Sequence, residues 1–95
     1  MAEAFVKTTV ESHTVVVFGK SHCPYTQKAK KLLADAGIKF HQVDLDTMDT
    51  GAAIQTFLET STNLKGVPNV WVKGKHFGDD GDVEEQVQKD KSFFV

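Results

Sequence analysis

Arginine is absent from this chain, and cysteine, tyrosine and tryptophan occur once each. All eleven basic residues are therefore lysine. An anion can be met by point charges and backbone N–H groups, but not by the two-pronged fork of a guanidinium. One cysteine excludes an intramolecular disulfide, so the fold must hold without oxidative crosslinks, which fits a reducing compartment. No apolar run approaches the ~20 residues that span a bilayer. The first residues, Met1 to Val6, lack the basic segment and extended apolar stretch of a secretory signal. A formal net charge of −2 gives no bulk attraction to nucleic acid or to a membrane surface. The expected location is cytoplasmic, or an organelle whose transit peptide lies outside this sequence.

What is present suits one modest core. At 95 residues, 40% hydrophobic and 25% charged, residues 1–95 are expected to form a single domain. Phe5, Val6 and Val10 predict a short amphipathic helix over 3–11. Thr14 to Phe18 is an almost unbroken β-branched run, the pattern of a strand buried on both faces at the centre of a sheet. Ala29, Leu32, Leu33 and Ala36 recur at helical spacing after Pro24, and Gly37 ends that helix. Lys39 to Leu45 reads as a second strand and Asp46 to Thr50 as a polar connection. Ile54, Phe57 and Leu58 mark the inner face of another helix. Asn69 to Val72 reads as a strand, Lys73-Gly74-Lys75 as a tight turn, and His76-Phe77 as the start of its hairpin partner. The last helix gathers around Val83 and Val87, with Asp80 or Asp82 as its expected cap. The order is α-β-α-β-α-β-β-α: an α/β fold with a mixed four-stranded sheet and helices on its faces. Phe93 and Phe94 are expected to pack against it.

The sole cysteine lies in Lys20-Ser21-His22-Cys23-Pro24-Tyr25-Thr26, between the buried strand and the following helix. A thiol at a helix N-terminus faces unpaired N–H groups and the positive end of the helix dipole, and both favour the nucleophilic thiolate. A lone cysteine is commonly an inert small hydrophobe, but flanks of Lys20, His22 and Tyr25 are no core environment. His22 cannot serve as the base of a cysteine protease, whose partners come from distant segments. His13, His41 and His76 show no metal-ligand spacing with Cys23, so no metal site is expected.

The segment around Cys23, Val67-Pro68 before a strand, and Gly78 before a helix occur in thioredoxin-fold order. In detail they resemble the glutaredoxins: Lys20 three residues ahead of the cysteine, Gly66-Val67-Pro68-Asn69-Val70-Trp71-Val72, and Lys73-Gly74-Lys75-His76-Phe77-Gly78. The match runs from about Val15 to Val87. Cys23-Pro24-Tyr25-Thr26 resembles the Cys-Pro-Tyr-Cys members, with Thr26 where the second cysteine stands. Two further departures are Gly66 for the threonine before Val-Pro, and Asp79 for the second glycine of a Gly-Gly pair.

The resemblance implies a thioredoxin-like fold and a glutathione-dependent thiol–disulfide oxidoreductase, with glutathione as co-substrate and Cys23 as catalytic residue. It implies a cis Val67–Pro68 bond lying against that cysteine, with the Val67 backbone open to an extended ligand. Glutathione contacts are then expected from Lys20, Tyr25, Thr26, Lys65, Val67, Pro68, Gly81 and Asp82. The lysines suit the glycine carboxylate, the Gly81 and Asp82 N–H groups the γ-glutamyl carboxylate, and the Asp82 side chain the ammonium. Thr26 implies a monothiol mechanism acting on glutathionylated proteins, in a native monothiol chain or one whose resolving cysteine has been replaced. The expected partner is glutathione or a related low-molecular-weight thiol, and the expected state is a monomer. The alternative is a homodimer bridging a [2Fe–2S] cluster through two Cys23 thiolates and two glutathione thiols.

Overall fold

The computed structural model describes residues 1–95. Helix α1 (Ala2–Ser12) leads into strand β1 (Val15–Gly19), helix α2 (Pro24–Asp35) and strand β2 (His41–Asp44). Helix α3 (Gly51–Thr62), the hairpin β3 (Asn69–Val72) and β4 (Lys75–Gly78), and helix α4 (Asp80–Asp90) complete the chain. Single 3-10 turns follow β2 at Leu45–Thr47 and α4 at Lys91–Phe94. The sheet order is β2-β1-β3-β4, with β1 parallel to β2 and antiparallel to β3. The predicted element order and mixed four-stranded sheet are the observed ones.

All five residues of β1 are buried. Because side chains alternate across a strand, Val16 and Phe18 enter one core with α1 and α3, beside Val6, Val10, Ile54 and Leu58. Val15 and Val17 enter the other with Leu33 of α2, Val83 of α4 and Phe94. One strand thus couples two otherwise separate cores. Phe94 is buried and Phe93 is half exposed; both rings lie about 5.5 Å from Phe77.

Element boundaries shift from the sequence reading: α1 gains a residue at each end of 3–11, β1 is Val15–Gly19 instead of Thr14–Phe18, and Lys75 belongs to β4 instead of the turn. β2 starts at His41, two residues after Lys39, and Leu45 already belongs to the 3-10 turn. That turn takes up Asp46 and Thr47 of the expected polar connection, with its Thr47 hydroxyl donating to the Asp44 carbonyl at 2.9 Å. The cap of α4 is Asp79, not Asp80 or Asp82. Asp79 Oδ1 accepts the Asp82 N–H at 3.1 Å and Asp82 Oδ2 accepts the Asp79 N–H at 3.0 Å. This reciprocal box pairs a cap residue with an acceptor three positions on, and the 79/82 pair forms it.

Gly51 opens α3 in close contact with the backbone of the preceding turn. An added Cβ would overlap the Leu45 carbonyl. Gly51→Ala should therefore destabilise the fold by about 1–3 kcal/mol, the range for forced overpacking, although alanine is the better helix former. A denaturant midpoint equal to or above that of the parent chain would contradict this packing.

Candidate active site

The way α2 begins creates the reactive centre. Cys23 is its N-cap, with φ −84° and ψ 120°, and Pro24 occupies the first helical position, where its missing N–H leaves nothing unpaired. The next two N–H groups have no acceptor within the helix. Those of Tyr25 and Thr26 act on the Cys23 sulfur and favour its anion. Thr26 is fully buried, its Oγ1 accepts the Lys20 N–H at 3.3 Å, and its hydroxyl also favours the Cys23 anion. Burial pushes the Cys23 thiol up; the Thr26 N–H, the Thr26 hydroxyl and the Tyr25 N–H together outweigh it. The Asp80 carboxylate opposes them, and the net result lies below the ordinary cysteine value. Cys23 is also partly exposed, so the thiolate is reachable.

The loop before the cysteine is held from two sides. The Ser21 N–H donates to Asp46 Oδ1 at 2.9 Å, and the Ser21 hydroxyl donates to Asp46 Oδ2. Gln27 Nε2 donates to the Ser21 carbonyl at 2.9 Å. The two Ser21 bonds, the hydroxyl's first, hold the Asp46 carboxyl below the usual carboxylate range. Neither Asp46 nor Gln27 is a candidate by motif or periodicity. An acid in a polar turn reads as a generic capping residue until the turn is brought beside Ser21.

Opposite Cys23 lies the α3–β3 connection. The Val67–Pro68 bond is cis, and the Val67 carbonyl oxygen stands 3.9 Å from the Cys23 sulfur. Tyr25 on one side and Lys65, Val67 and Pro68 on the other line a groove of about 440 Å³, closed at one end by Asp79, Asp80 and Gly81. A hollow of about 570 Å³ between the C-terminal ends of α2 and α4 is larger, but its lining holds no nucleophile. Cys23, Thr26, Tyr25, Lys65, Val67, Pro68 and Gly81 therefore come together at or beside one groove. Lys20 stands at the end of β1, outside the groove lining. The Asp82 N–H and carboxylate are both engaged by the capping box, whereas Gly81, at the second helical position, has an N–H with no acceptor inside the helix.

A partly exposed thiol with a lowered pKa at a strand-to-helix junction, facing a cis X–Pro segment on a four-stranded mixed sheet, defines a thiol oxidoreductase of thioredoxin-like fold. Comparison with known proteins refines this class. The glutaredoxin family profile matches residues 15–77. A castor bean (Ricinus communis) glutaredoxin is 47% identical over 78 residues, spanning 82% of this chain and 76% of that protein. Glutaredoxin-C2 of Arabidopsis thaliana is 45% identical over the same share of this chain and 70% of its own. Among solved structures, a wheat glutaredoxin superposes with a TM-score of 0.93 at 38% identity, covering 99% of this chain and 91% of that one. A buckwheat glutaredoxin–glutathione complex gives 0.91 at 36% identity, covering 96% and 83%. The chain belongs to the glutaredoxin family and is a glutaredoxin-type oxidoreductase.

The ionisation of Cys23 is directly measurable. Its alkylation rate against pH should inflect below about 8.5, the free-thiol value. Thr26→Val removes the hydroxyl while keeping the shape, so the inflection should move upward and alkylation at neutral pH should slow. An unchanged inflection in Thr26→Val would remove the hydroxyl from the site's electrostatics.

Proposed function

We propose that residues 1–95 act as one glutaredoxin domain, monomeric, that reduces glutathionylated proteins through Cys23 by a monothiol mechanism. The observation that carries this reading is that Cys23, at the N-terminus of α2, is paired with a buried threonine, and not a second thiol, at position 26. The Cys23 thiolate attacks the glutathione sulfur of a mixed disulfide. The S–S bond breaks, the protein substrate leaves as a thiolate that takes up a proton, and a Cys23–glutathione disulfide remains. A second glutathione, as thiolate, attacks the glutathione sulfur of that adduct, releasing glutathione disulfide and regenerating the Cys23 thiolate. The net exchange consumes one free glutathione: the mixed disulfide and that glutathione become the protein thiol and glutathione disulfide, so one disulfide bond is replaced by another. Exchange of this kind is fast when the attacking sulfur is ionised and the three sulfurs are in line.

Support for glutathione as the co-substrate comes from family membership and from the buckwheat relative in complex with it. In the groove, the Val67 backbone suits main-chain pairing with the tripeptide, Lys65 and Lys20 its glycine carboxylate, and the Gly81 end its γ-glutamyl group. Tyr25 would cover the adduct. A cytoplasmic location suits the reducing chemistry; among related proteins, one rice relative at 40% identity carries a chloroplastic designation.

Cys23→Ser should abolish turnover, since a hydroxyl is barely ionised at neutral pH. Lys65→Ala and Lys20→Ala should each raise KM for a glutathionylated peptide about two- to fivefold at low ionic strength, with the effect shrinking as salt is added. Kinetics indifferent to both substitutions at every ionic strength would exclude the lysines from binding.

Thr26 decides the mechanism. In glutathione disulfide, the chain should take up one glutathione and stop, as intact mass would show. It should reduce glutathionylated substrates but not disulfides that require two cysteines. Thr26→Cys should introduce that second activity, because its thiol would take over the place from which the Thr26 hydroxyl reaches the Cys23 sulfur. Residues three apart on a helix lie within disulfide-bridging range. Absence of an internal disulfide in oxidised Thr26→Cys would overturn the loop geometry. Visible absorbance of anaerobically purified protein would reveal the cluster-bridged dimer instead.

A further inference from the structure

Glu59 occupies an unusual position for an acid. It lies in the C-terminal part of α3, which ends at Thr62 and has no basic residue in its last turn. A carboxylate there opposes the helix dipole, so it needs compensation from outside the helix. It finds this in the loop that faces Cys23. Glu59 Oε2 accepts the Gly66 N–H at 2.9 Å and the Gln55 side-chain amide at 3.1 Å.

Gly66 has φ +84°, and nothing stands within 4 Å of where its Cβ would be. Neither a side chain nor close packing restrains this residue, and glycine has more backbone freedom to lose than any other. The flanks are tied separately: Thr62 Oγ1 accepts from the Leu64 N–H and from the Asn69 side chain, both at 3.2 Å. That leaves the Glu59 bond to anchor the middle of the loop. One peptide beyond Gly66 is Val67, whose carbonyl stands against the Cys23 sulfur. The charges of Lys65, which lines the groove, and of Lys20 beside it also act on the Glu59 carboxylate, so these cations are already partly balanced by an acid of the chain itself.

We propose that Glu59 is a positioning residue of the groove, which anchors the Gly66–Val67 backbone by a charge-assisted hydrogen bond and lowers the positive charge that an incoming carboxylate meets. The two roles separate by substitution. Glu59→Gln keeps an acceptor for the Gly66 N–H but removes the negative charge. Glu59→Ala removes both.

The electrostatic role is read by alkylating Cys23 with anionic iodoacetate and neutral iodoacetamide at low ionic strength. The ratio of the two rates should rise about two- to fivefold in both variants and return toward the parent value in 0.5 M salt. Glu11→Gln, on the exposed face of α1, is the control and should leave the ratio unchanged. The anchoring role is read in turnover of a glutathionylated peptide: Glu59→Gln should lower KM, whereas Glu59→Ala should lower kcat. A ratio unmoved in both variants overturns the charge role. Equal kcat in Glu59→Gln and Glu59→Ala overturns the anchor. Only the kinetic arm rests on the glutathione-dependent reading; if that reading fails, the parent chain itself shows no turnover, while the alkylation ratio still reports on Glu59.

Discussion

A thiolate at the surface of a protein persists when its hydrogen-bond donors stand in place before the charge forms. Here those donors are the N–H groups of Tyr25 and Thr26 and the Thr26 hydroxyl, and most of the architecture serves to hold them still. The strand β1 is buried on both faces and carries the chain rigidly to Gly19. Cys23 and Pro24 then start α2 at the point where its first N–H groups are free. The close approach of Gly19 to the Thr26 side chain matters to the same end. A Cβ at position 19 would collide with the Thr26 side chain, displacing the very hydroxyl that reaches the sulfur. The two cores on either side of β1 therefore define a position for one sulfur atom as well as a stability for the fold.

Much of this was legible in the sequence because it rests on local pattern. A continuous β-branched run implies burial on both faces, and the strand, thiol and Pro24 succession states where a helix begins. The hairpin was legible through Lys73-Gly74-Lys75, whose first two residues take φ values of 53° and 80°. Features that depend on contacts between distant segments were not. Asp46 is 25 residues from Ser21, and no periodicity links the two. The capping of α4 was legible as a type of interaction but not as a residue, since three aspartates crowd positions 79, 80 and 82. The reciprocal pair formed in the fold selects Asp79, since Asp82 and Glu85 share the same spacing in the sequence.

The resemblance supplied what pattern alone could not: the cis Val67–Pro68 bond and its place opposite Cys23. It pointed equally to the α4 terminus as an anion seat, where this chain departs from simple expectation. With Asp79 as the cap, the helix dipole and the Asp82 N–H are already met by a carboxylate of the chain itself. Any ligand carboxylate arriving there meets a partly satisfied terminus, with the Gly81 N–H as the donor that lacks an acceptor within the helix.

Asp80 adds a second constraint on the same sulfur. Its charge raises the Cys23 pKa, against the action of Thr26 and Tyr25, so an unneutralised Asp80 would weaken the nucleophile's ionisation. Lys28, one helical turn past Tyr25, reaches across to α4 and stands 3.6 Å from Asp80 and 3.0 Å from Glu84. The pair is exposed enough that its contribution to folding is small. Its placement has a different consequence: a cation on the helix that bears the nucleophile screens the carboxylate that opposes it. The groove thus has an acid set against lysines at one end and a lysine set against acids at the other. The hydrogen-bond donors at the start of α2 are the groups that tip this balance toward the Cys23 thiolate.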